Sequence, residues 1–215
     1  LVSAIDVVIG LPLAWLIARE KSRWINILDT FSDIPFVVPT AALGYSLLLF
    51  WNSPGGISLL FGTTLVSQGW LLVMLLHFTF SLPVVVRVMV GALLDYKREY
   101  ERASRTLGAP PFTAARTVTF PILKPSLIAA FILAFSRSIS ETGATIIVAG
   151  ALFENGPVFI QNMKNDYAAG TVSQTVYEGS TVFASFVLIA VAISIFFVIR
   201  ALGPRLRLPV KRVWP

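Results

Sequence analysis

Apolar residues fill most of the chain in long blocks, and each block ends at a short group of polar or basic residues. Each block is long enough to cross the roughly 30 Å hydrocarbon layer as a helix that rises about 1.5 Å per residue. The blocks lack the two-residue alternation that is typical of barrel strands. The pattern therefore predicts an all-α, polytopic transmembrane helix bundle with five spans, at residues 1–18, 34–51, 66–86, 126–153 and 181–199.

Basic residues indicate the orientation of these spans, because short cytoplasmic loops retain Lys and Arg. All but two of the 17 basic residues lie in three regions: after the first span, between the third and fourth spans, and after the fifth span. Arg87 is counted in the second of these regions. The opposite connections, residues 52–65 and 151–180, carry only Lys164 as a basic residue. The protein is therefore predicted to be a multi-pass protein of the cell membrane, with its C-terminus in the cytoplasm.

The first apolar block is already under way at Leu1 and has no preceding basic region or cleavage site of a signal peptide. Five spans with a cytoplasmic C-terminus place Leu1 outside the cell. We therefore expect an N-terminal truncation and six spans in the intact protein. Residues 1–215 are interpreted as a single transmembrane domain.

The composition supports a membrane protein, because 56% of the residues are hydrophobic and only 13% are charged. The net charge of +6 lies beside apolar spans and not in a basic domain, so it favours lipid headgroups and cytoplasmic partners over nucleic acid. The chain has no cysteine, which excludes disulfides and thiolate metal sites. The single histidine, His77, lies in an apolar run and is predicted to be packed or hydrogen-bonded, in preference to the alternative of a ligand or proton relay. No metal site or cofactor is expected.

The longest basic connection covers residues 95–124, with the sequence DYKREYERASRTLGAPPFTAARTVTFPILK. Two short helices are predicted in this basic loop, on either side of residues 108–111. Glycine permits the left-handed turn that closes a helix, and proline suits the first turn of the next one. The basic loop is therefore predicted to form a helix-turn-helix at the membrane surface.

The basic loop resembles the EAA loop of binding-protein-dependent ABC importer permeases, whose pattern is Glu-Ala-Ala, three residues, Gly, nine residues, Ile, any residue, Leu-Pro. Residues 101–108 (ERASRTLG) match the first half, and residues 118–121 (VTFP) fall at the spacing of the second. Arg102 stands where the motif has glutamate, with Glu101 one residue earlier, and Ser104 replaces the second alanine. Residues 10–19 (GLPLAWLIAR) and 35–40 (PFVVPT) resemble other recurrent segments of this family.

The resemblance implies a cytoplasmic coupling helix that inserts into a groove on a separate ABC ATPase subunit. No GxxxxGK[ST] motif is present in the chain, which agrees with ATP hydrolysis on another subunit and with a permease that is not itself an enzyme. The family further implies an extracytoplasmic substrate-binding protein and a second permease subunit, expected to be an identical copy. The residues expected to take part in ATPase coupling are Glu101, Arg102, Ala103, Ser104, Gly108 and Pro121.

The most polar stretch inside a predicted span is residues 137–145, the polar segment (RSISETGAT). Ionisable groups at this depth are costly and should face the bundle interior or water. Arg137 and Glu141 are four residues apart and can pair on one helical face. They either pair structurally or line the translocation path or its gate. The path candidates are Arg137, Ser138, Ser140, Glu141, Thr142 and Thr145.

Residues 140–145 (SETGAT) resemble the Gly-Glu-Phe-Gly-Ala-Thr-like stretch of molybdate, tungstate and sulfate permeases, with Ser140 and Thr142 departing from it. This resemblance implies a tetrahedral oxyanion as substrate. Iron, phosphate, polyamines and sugars remain alternative substrates. A secondary transporter would usually show internal repeats, and none is evident. A membrane scaffold would not require the spacing of the basic loop, and a membrane hydrolase would need a metal cluster or a nucleophile–His pair.

Overall fold

The computed structural model describes residues 1–20, 22–52, 56–57, 61, 66–150 and 154–202. Over these residues the fold is all-α, as predicted. The helices are α1 (Val2–Arg19), α2 (Arg23–Val37), α3 (Thr40–Asn52), α4 (Trp70–Asp95), α5 (Arg98–Thr106), α6 (Pro111–Ala114), α7 (Phe120–Ser140), α8 (Gly143–Ala149), α9 (Gly156–Ala168) and α10 (Gln174–Leu202). Most of the loop 52–65 and the basic residues Arg205, Arg207, Lys211 and Arg212 lie outside the described residues.

Four helical stretches in the described residues are long and apolar enough to cross a membrane: Val2–Arg19, Trp70–Asp95, Pro111–Ser140 and Gln174–Val198. A fifth span results if α2 and α3 are counted together, although they are bent by 111°. The predicted span at residues 34–51 is therefore wrong as a single straight helix. Pro39 explains the break, because proline disfavours the helical conformation at the residue before it, and Val38 is extended.

The predicted span at residues 126–153 also differs from the structure. A continuous helix begins much earlier, at Pro111, passes through a π-helical turn at Ala115–Thr119 and ends at Ser140. Glu141 is extended, and the short helix α8 follows. The second half of the basic loop is thus the beginning of a long apolar helix.

The core consists of α1, α4 and α7, which pack against one another along their length. Small residues on α1 and α7 face branched and flexible side chains on α4, which lets the helices approach closely. The buried residues of this region include Ala14, Val85, Val86, Met89, Leu93, Ala130 and Ala134. A second apolar cluster joins the beginning of α4 to α3, α8 and α9 through Leu72, Leu76, Phe80, Ala144, Val148 and Val158.

Helix α10 contacts mainly α9 and leaves its apolar side chains exposed, including Phe183 and Phe186. None of the residues in its most apolar stretch is buried within the chain. Lipid satisfies such a surface as well as protein does, because hydrocarbon tails are as apolar as these side chains. The helix is therefore suited to the membrane without a core partner.

Gly44 is predicted to be indispensable for the contact between α3 and α8. A Cβ at this position would lie 2.9 Å from the Cβ of Ala144 and 3.0 Å from its Cα. Overpacking of this kind costs about 1 to 3 kcal/mol. We expect Gly44→Ala to lower the thermal unfolding temperature in detergent, followed by tryptophan fluorescence, because Trp51 packs against the same cluster.

Gly91 offers a matched control, because it lies inside α4 and a Cβ there would meet no atom within 4 Å. Gly91→Ala should leave the unfolding temperature unchanged or raise it, since alanine is the better helix former. Equal unfolding temperatures for Gly44→Ala and the wild type would contradict the close packing of α3 on α8.

Candidate functional site

The basic loop forms the predicted helix-turn-helix in its first helix and its turn, but the second helix is not short, because it begins the continuous helix Pro111–Ser140. Helix α5 ends at Thr106, and Gly108 adopts a left-handed φ of +92° that closes the helix. The amide of Gly108 donates to the carbonyl of Arg105 at 3.0 Å, and the amide of Ala109 donates to that of Ser104 at 3.2 Å. Pro111 occupies the first turn of α6, as the sequence indicates. The turn is therefore closed by its own backbone.

Glu101 is buried and attaches α5 to the bundle. The guanidinium of Arg19, at the end of α1, donates to the carboxylate of Glu101 at 2.6 Å. The buried hydroxyl of Thr119 also lies near this carboxylate, at 3.5 Å, and Tyr96 contacts Thr119 at 3.1 Å. Arg98 adds a bond to the carbonyl of Ala18 at 2.9 Å. Glu101 thus faces inward, toward α1 and the π-helical turn.

The other predicted coupling residues lie on the outer side of the basic loop. They are less buried than Glu101. Ser104 is half-buried, and the other four are exposed: Arg102, Ala103, Gly108 and Pro121. Pro121 stands apart from the α5–α6 turn, in the first turn of α7.

Two apolar side chains of the basic loop that the sequence did not single out are the most conspicuous. Leu107 is 90% exposed and Phe112 is 73% exposed. They lie on either side of the turn at Gly108. Two large side chains this exposed on one surface turn offer apolar area that a second protein or a membrane can cover.

The polar segment lies where α7 ends and α8 begins. The guanidinium of Arg137 lies 3.9 Å from the carboxylate of Glu141 and 5.4 Å from the ring centroid of Phe80. Glu141 is the residue immediately after α7, so the predicted pair forms across a helix end and not on one continuous face. The second carboxylate oxygen of Glu141 accepts from the amide of Ala144 at 3.2 Å. The buried carboxylate therefore has partners on both sides of the break.

His77 contacts two other residues of the polar segment. Its Nδ1 lies 2.7 Å from the hydroxyl of Ser138, and its Nε2 lies 3.0 Å from the hydroxyl of Thr145. The prediction of a hydrogen-bonded histidine is confirmed. Ser140 and Thr142 are exposed at the break, and the hydroxyl of Ser140 donates to the carbonyl of Arg137. The structure thus clusters Arg137, Ser138, Glu141 and Thr145 and leaves Ser140 and Thr142 on the surface.

Two polar contacts inside the helices were not predicted from the sequence. Asp6, buried in α1, accepts a hydrogen bond from Ser81 in α4, and its other carboxylate oxygen has no partner among the described residues. The prediction that Arg87 lies in a loop is wrong, because this residue lies within α4 and pairs with Asp29 and Asp33 of α2. A lone carboxylate in an apolar span was the available signal for Asp6, since such groups are rare in membranes.

A cavity of about 530 Å³ lies between α4, α7, α9 and α10, beside the first residue of α1. Its polar lining residues are His77, Ser138 and Asn155, and the rest of the wall is apolar, with Met74 and Leu188 as examples. Among the described residues, no charged side chain lines this cavity. Over the described part of the chain, no group of three or more His, Asp or Glu side chains is arranged to hold a metal ion.

Several apolar helices long enough to span a membrane, a broken span with an ion pair and a surface turn anchored to the bundle define a polytopic α-helical membrane protein. Comparison with known families gives the assignment directly. The chain belongs to the family of binding-protein-dependent transport system inner membrane components, whose model matches residues 10–208.

Individual relatives agree with this assignment. The chain is 35% identical over 176 residues to the probable sulfate transport system permease protein cysT of Nephroselmis olivacea, covering 79% of this chain and 62% of the relative. It is 34% identical over 187 residues to the sulfate transport system permease protein CysT of Salmonella typhimurium, covering 83% and 67%. It is 34% identical over 154 residues to the molybdenum transport system permease protein ModB of Mycobacterium bovis, covering 67% and 56%. The chain therefore spans about two thirds of the length of these relatives or less.

The Arg19–Glu101 contact is predicted to hold α5 in place. Glu101→Ala would leave the guanidinium of Arg19 without its carboxylate partner, a loss of about 2 kcal/mol for a hydrogen bond to a charged group. We expect the amides of α5 to exchange with deuterium roughly thirtyfold faster, measured by mass spectrometry on the detergent-solubilised protein.

Glu99 serves as the control for this measurement, because it lies on the same helix with an exposed side chain. Glu99→Ala should change the exchange of α5 only slightly, through the weak interaction of an acidic group with the first turn. If both variants exchange alike, the ion pair does not anchor the helix.

Proposed function

We propose that the chain is the membrane-spanning permease subunit of an ATP-driven ABC importer, with a tetrahedral oxyanion such as sulfate, molybdate or tungstate as substrate. The observation that carries this proposal is the α5–α6 turn. The turn presents Leu107 and Phe112 to the outside, while Glu101 attaches it to the helix bundle. A docking turn fixed to the spanning helices is what an ATPase subunit needs in order to move them.

The proposed orientation places the basic loop and the C-terminus in the cytoplasm, within a single domain that covers residues 1–215. Lys and Arg are retained on the cytoplasmic side of short loops. The basic residues of α5, Arg98, Arg102 and Arg105, lie together at the end of α4 that also adjoins the end of α1. This clustering supports a cytoplasmic surface for docking of the ATPase.

Within the basic loop, Glu101 and the exposed residues have different proposed roles. The surface that enters the ATPase groove comprises Arg102, Ala103, Ser104 and Gly108, where small residues permit close approach. Glu101 transmits the movement, because its carboxylate joins α5 to α1 and lies near Thr119. Pro121 begins the helix that receives this movement, and is proposed to act in coupling from that position.

The partners in the proposal are a separate ABC ATPase subunit, an extracytoplasmic binding protein and a second permease subunit of identical sequence. The family description names a binding-protein-dependent transport system, which supports the first two. A two-fold pair of copies would place equivalent helices around one central path. The exposed apolar surface of α10 is compatible with lipid or with a second copy.

The proposed path includes the polar segment, with Arg137, Ser138, Ser140, Glu141, Thr142 and Thr145 as its residues. Arg137 is half-buried, so its guanidinium reaches a surface that an anion can approach. Glu141 is compatible with anion passage because it is paired with Arg137 and capped by an amide. The relatives named as sulfate and molybdenum permeases support an oxyanion over iron, polyamines or sugars.

Gly108→Asp is the first test of the docking surface. The left-handed conformation disfavours any side chain, and a charge would stand between the turn and its partner. We expect the tagged permease to insert into membranes normally, but to lose copurification of the ATPase and substrate-stimulated ATP hydrolysis. Normal stimulated hydrolysis in this variant would count against the assignment.

Gly170 provides a matched control, because it also has a left-handed φ, of +75°, and follows α9, away from the basic loop. A Cβ added at Gly170 would meet no atom within 4 Å, and the same is true at Gly108. Gly170→Asp therefore carries a similar backbone strain and the same charge. It should retain copurification of the ATPase. Loss of the ATPase in both variants would indicate general misfolding and not a docking defect.

Arg137→Ala tests the path. Removal of a group that makes charged hydrogen bonds to a passing anion should slow uptake roughly ten- to a hundredfold without loss of the complex. Arg137→Lys retains the charge and should keep a larger part of the activity. An Arg137→Ala chain that no longer assembles would instead assign the residue to a structural pair with Glu141.

The substrate can be identified by uptake in cells that lack their own sulfate and molybdate permeases. The chain would be expressed with its ATPase and binding protein, and uptake of labelled sulfate and of molybdate would be measured. ATP-dependent uptake of either anion, with competition by the other, is expected. Uptake of iron or a polyamine in place of both anions would contradict the oxyanion proposal.

A further inference from the structure

The break between α7 and α8 has an unusual neighbour in His77. Helix α7 ends at Ser140, and α8 begins at Gly143, so the chain changes direction over Glu141 and Thr142. His77 projects from α4 and contacts one residue on each side of this break. Ser138 lies on α7, two residues before its end, and Thr145 lies on α8.

The hydrogen-bond partners assign a role to each ring nitrogen. The tautomer that completes both contacts of Thr145 has its hydroxyl donating to the carbonyl of Glu141 at 2.9 Å and accepting from the Nε2–H of His77. In the neutral ring Nδ1 is then an acceptor, and the hydroxyl of Ser138 donates to it at 2.7 Å. One rigid ring therefore fixes the separation of two hydroxyls on two different helices.

His77 is itself held in position by the core. Its side chain is buried, and its carbonyl accepts from the hydroxyl of Ser81 at 2.6 Å. The same hydroxyl also lies within hydrogen-bond distance of the buried carboxylate of Asp6 on α1, so its single proton is shared between these two acceptors. The contact to the break therefore begins in the packed α1–α4 region.

We propose that His77 is a positioning residue that sets the angle between α7 and α8, and thereby the place of Arg137 and Glu141 at the break. The importance of this geometry for transport rests on the proposed function. The positioning of α7 and α8 by His77 does not depend on the proposed function. The hydrogen bonds that link His77 to the region of the Arg137–Glu141 pair run through its two hydroxyl partners, Ser138 and Thr145.

The direct test is a distance measurement across the break. The chain has no native cysteine, so a pair can be introduced without background labelling. Leu133→Cys on the exposed side of α7 and Ile146→Cys on α8 would carry spin labels in the full chain reconstituted in lipid nanodiscs. Pulsed electron resonance then gives the distance distribution between the two helices.

Two substitutions at His77 separate hydrogen bonding from volume. His77→Leu fills a similar space and removes both bonds, whereas His77→Gln retains a donor and an acceptor on a single side chain. We expect a broadened or shifted distribution for His77→Leu and a distribution close to that of the wild type for His77→Gln. An unchanged distribution in His77→Leu would overturn the proposal.

If His77→Leu does not fold, the same labels can be measured in Ser138→Ala/Thr145→Val, which removes the two partners and leaves the ring. This variant should show the same broadening, and an unchanged distribution would overturn the proposal equally. His77→Leu can also be added to Ser138→Ala/Thr145→Val. If this triple variant folds, its distance distribution should equal that of the double variant, because the two hydrogen bonds are already lost.

Transport supplies the second readout. With interhelical hydrogen bonds of the usual strength in membranes, loss of two bonds should reduce ATP-driven uptake about tenfold in His77→Leu. Copurification of the ATPase should be unaffected, and His77→Gln should restore most of the uptake. Uptake in His77→Leu at the wild-type rate would contradict the functional part of the proposal. A wild-type complex without any ATP-driven uptake would contradict the proposed function, while the distance measurement would still decide the role of His77.

Discussion

Backbone amides and carbonyls inside a membrane need partners within the protein, because lipid tails offer none. This chain interrupts a spanning helix at Glu141 and Thr142, and side chains satisfy part of the backbone set free there. The carboxylate of Glu141 accepts from the amide of Ala144, and the hydroxyl of Thr145 donates to the carbonyl of Glu141. The side chain of Gln68 donates to the carbonyl of Ile147 at 3.2 Å. A break placed among apolar side chains would lack these partners.

The same constraint explains how much of the fold could be predicted. Long apolar blocks and the Gly108–Pro111 turn depend on local sequence, so the helical class and the helix-turn-helix were accessible. The break between α2 and α3 and the break between α7 and α8 could not be predicted in this way. The 34–51 block averages to a high hydropathy despite Pro39, and the 126–153 block despite the polar segment. The groups that stabilise the second break include His77, which is 61 residues away from Ser138 and 68 from Thr145. Periodicity does not reveal such contacts.

Candidate site residues were predictable by type but not by direction. The spacing of Glu101 and Gly108 indicated the loop, yet only the fold shows that Glu101 faces inward to Arg19 while Leu107 faces outward. A loop position was expected for Arg87 because charge normally marks the end of a span. Its partners lie on α2, a helix that hydropathy alone does not predict, and they are Asp29 and Asp33. A charge inside a span therefore indicates a polar partner elsewhere in the chain, which is an opposite charge for Arg87 and a hydroxyl for Asp6.

The continuous helix from Pro111 to Ser140 gives the two candidate sites a physical connection. Pro111 and Arg137 are separated by 26 residues, or about 39 Å of helix at 1.5 Å per residue. A displacement of the α5–α6 turn would therefore reach the break along this helix, and the π-helical turn at Ala115–Thr119 is a place where the helix can bend. Glu101 lies near Thr119 in this turn and is bonded to α1, so the bend is held against the core on the side of the proposed docking surface. At the other end, His77 holds the break against α4. Movement of this helix must then either carry α1 and α4 with it or strain the contacts that Glu101 and His77 make.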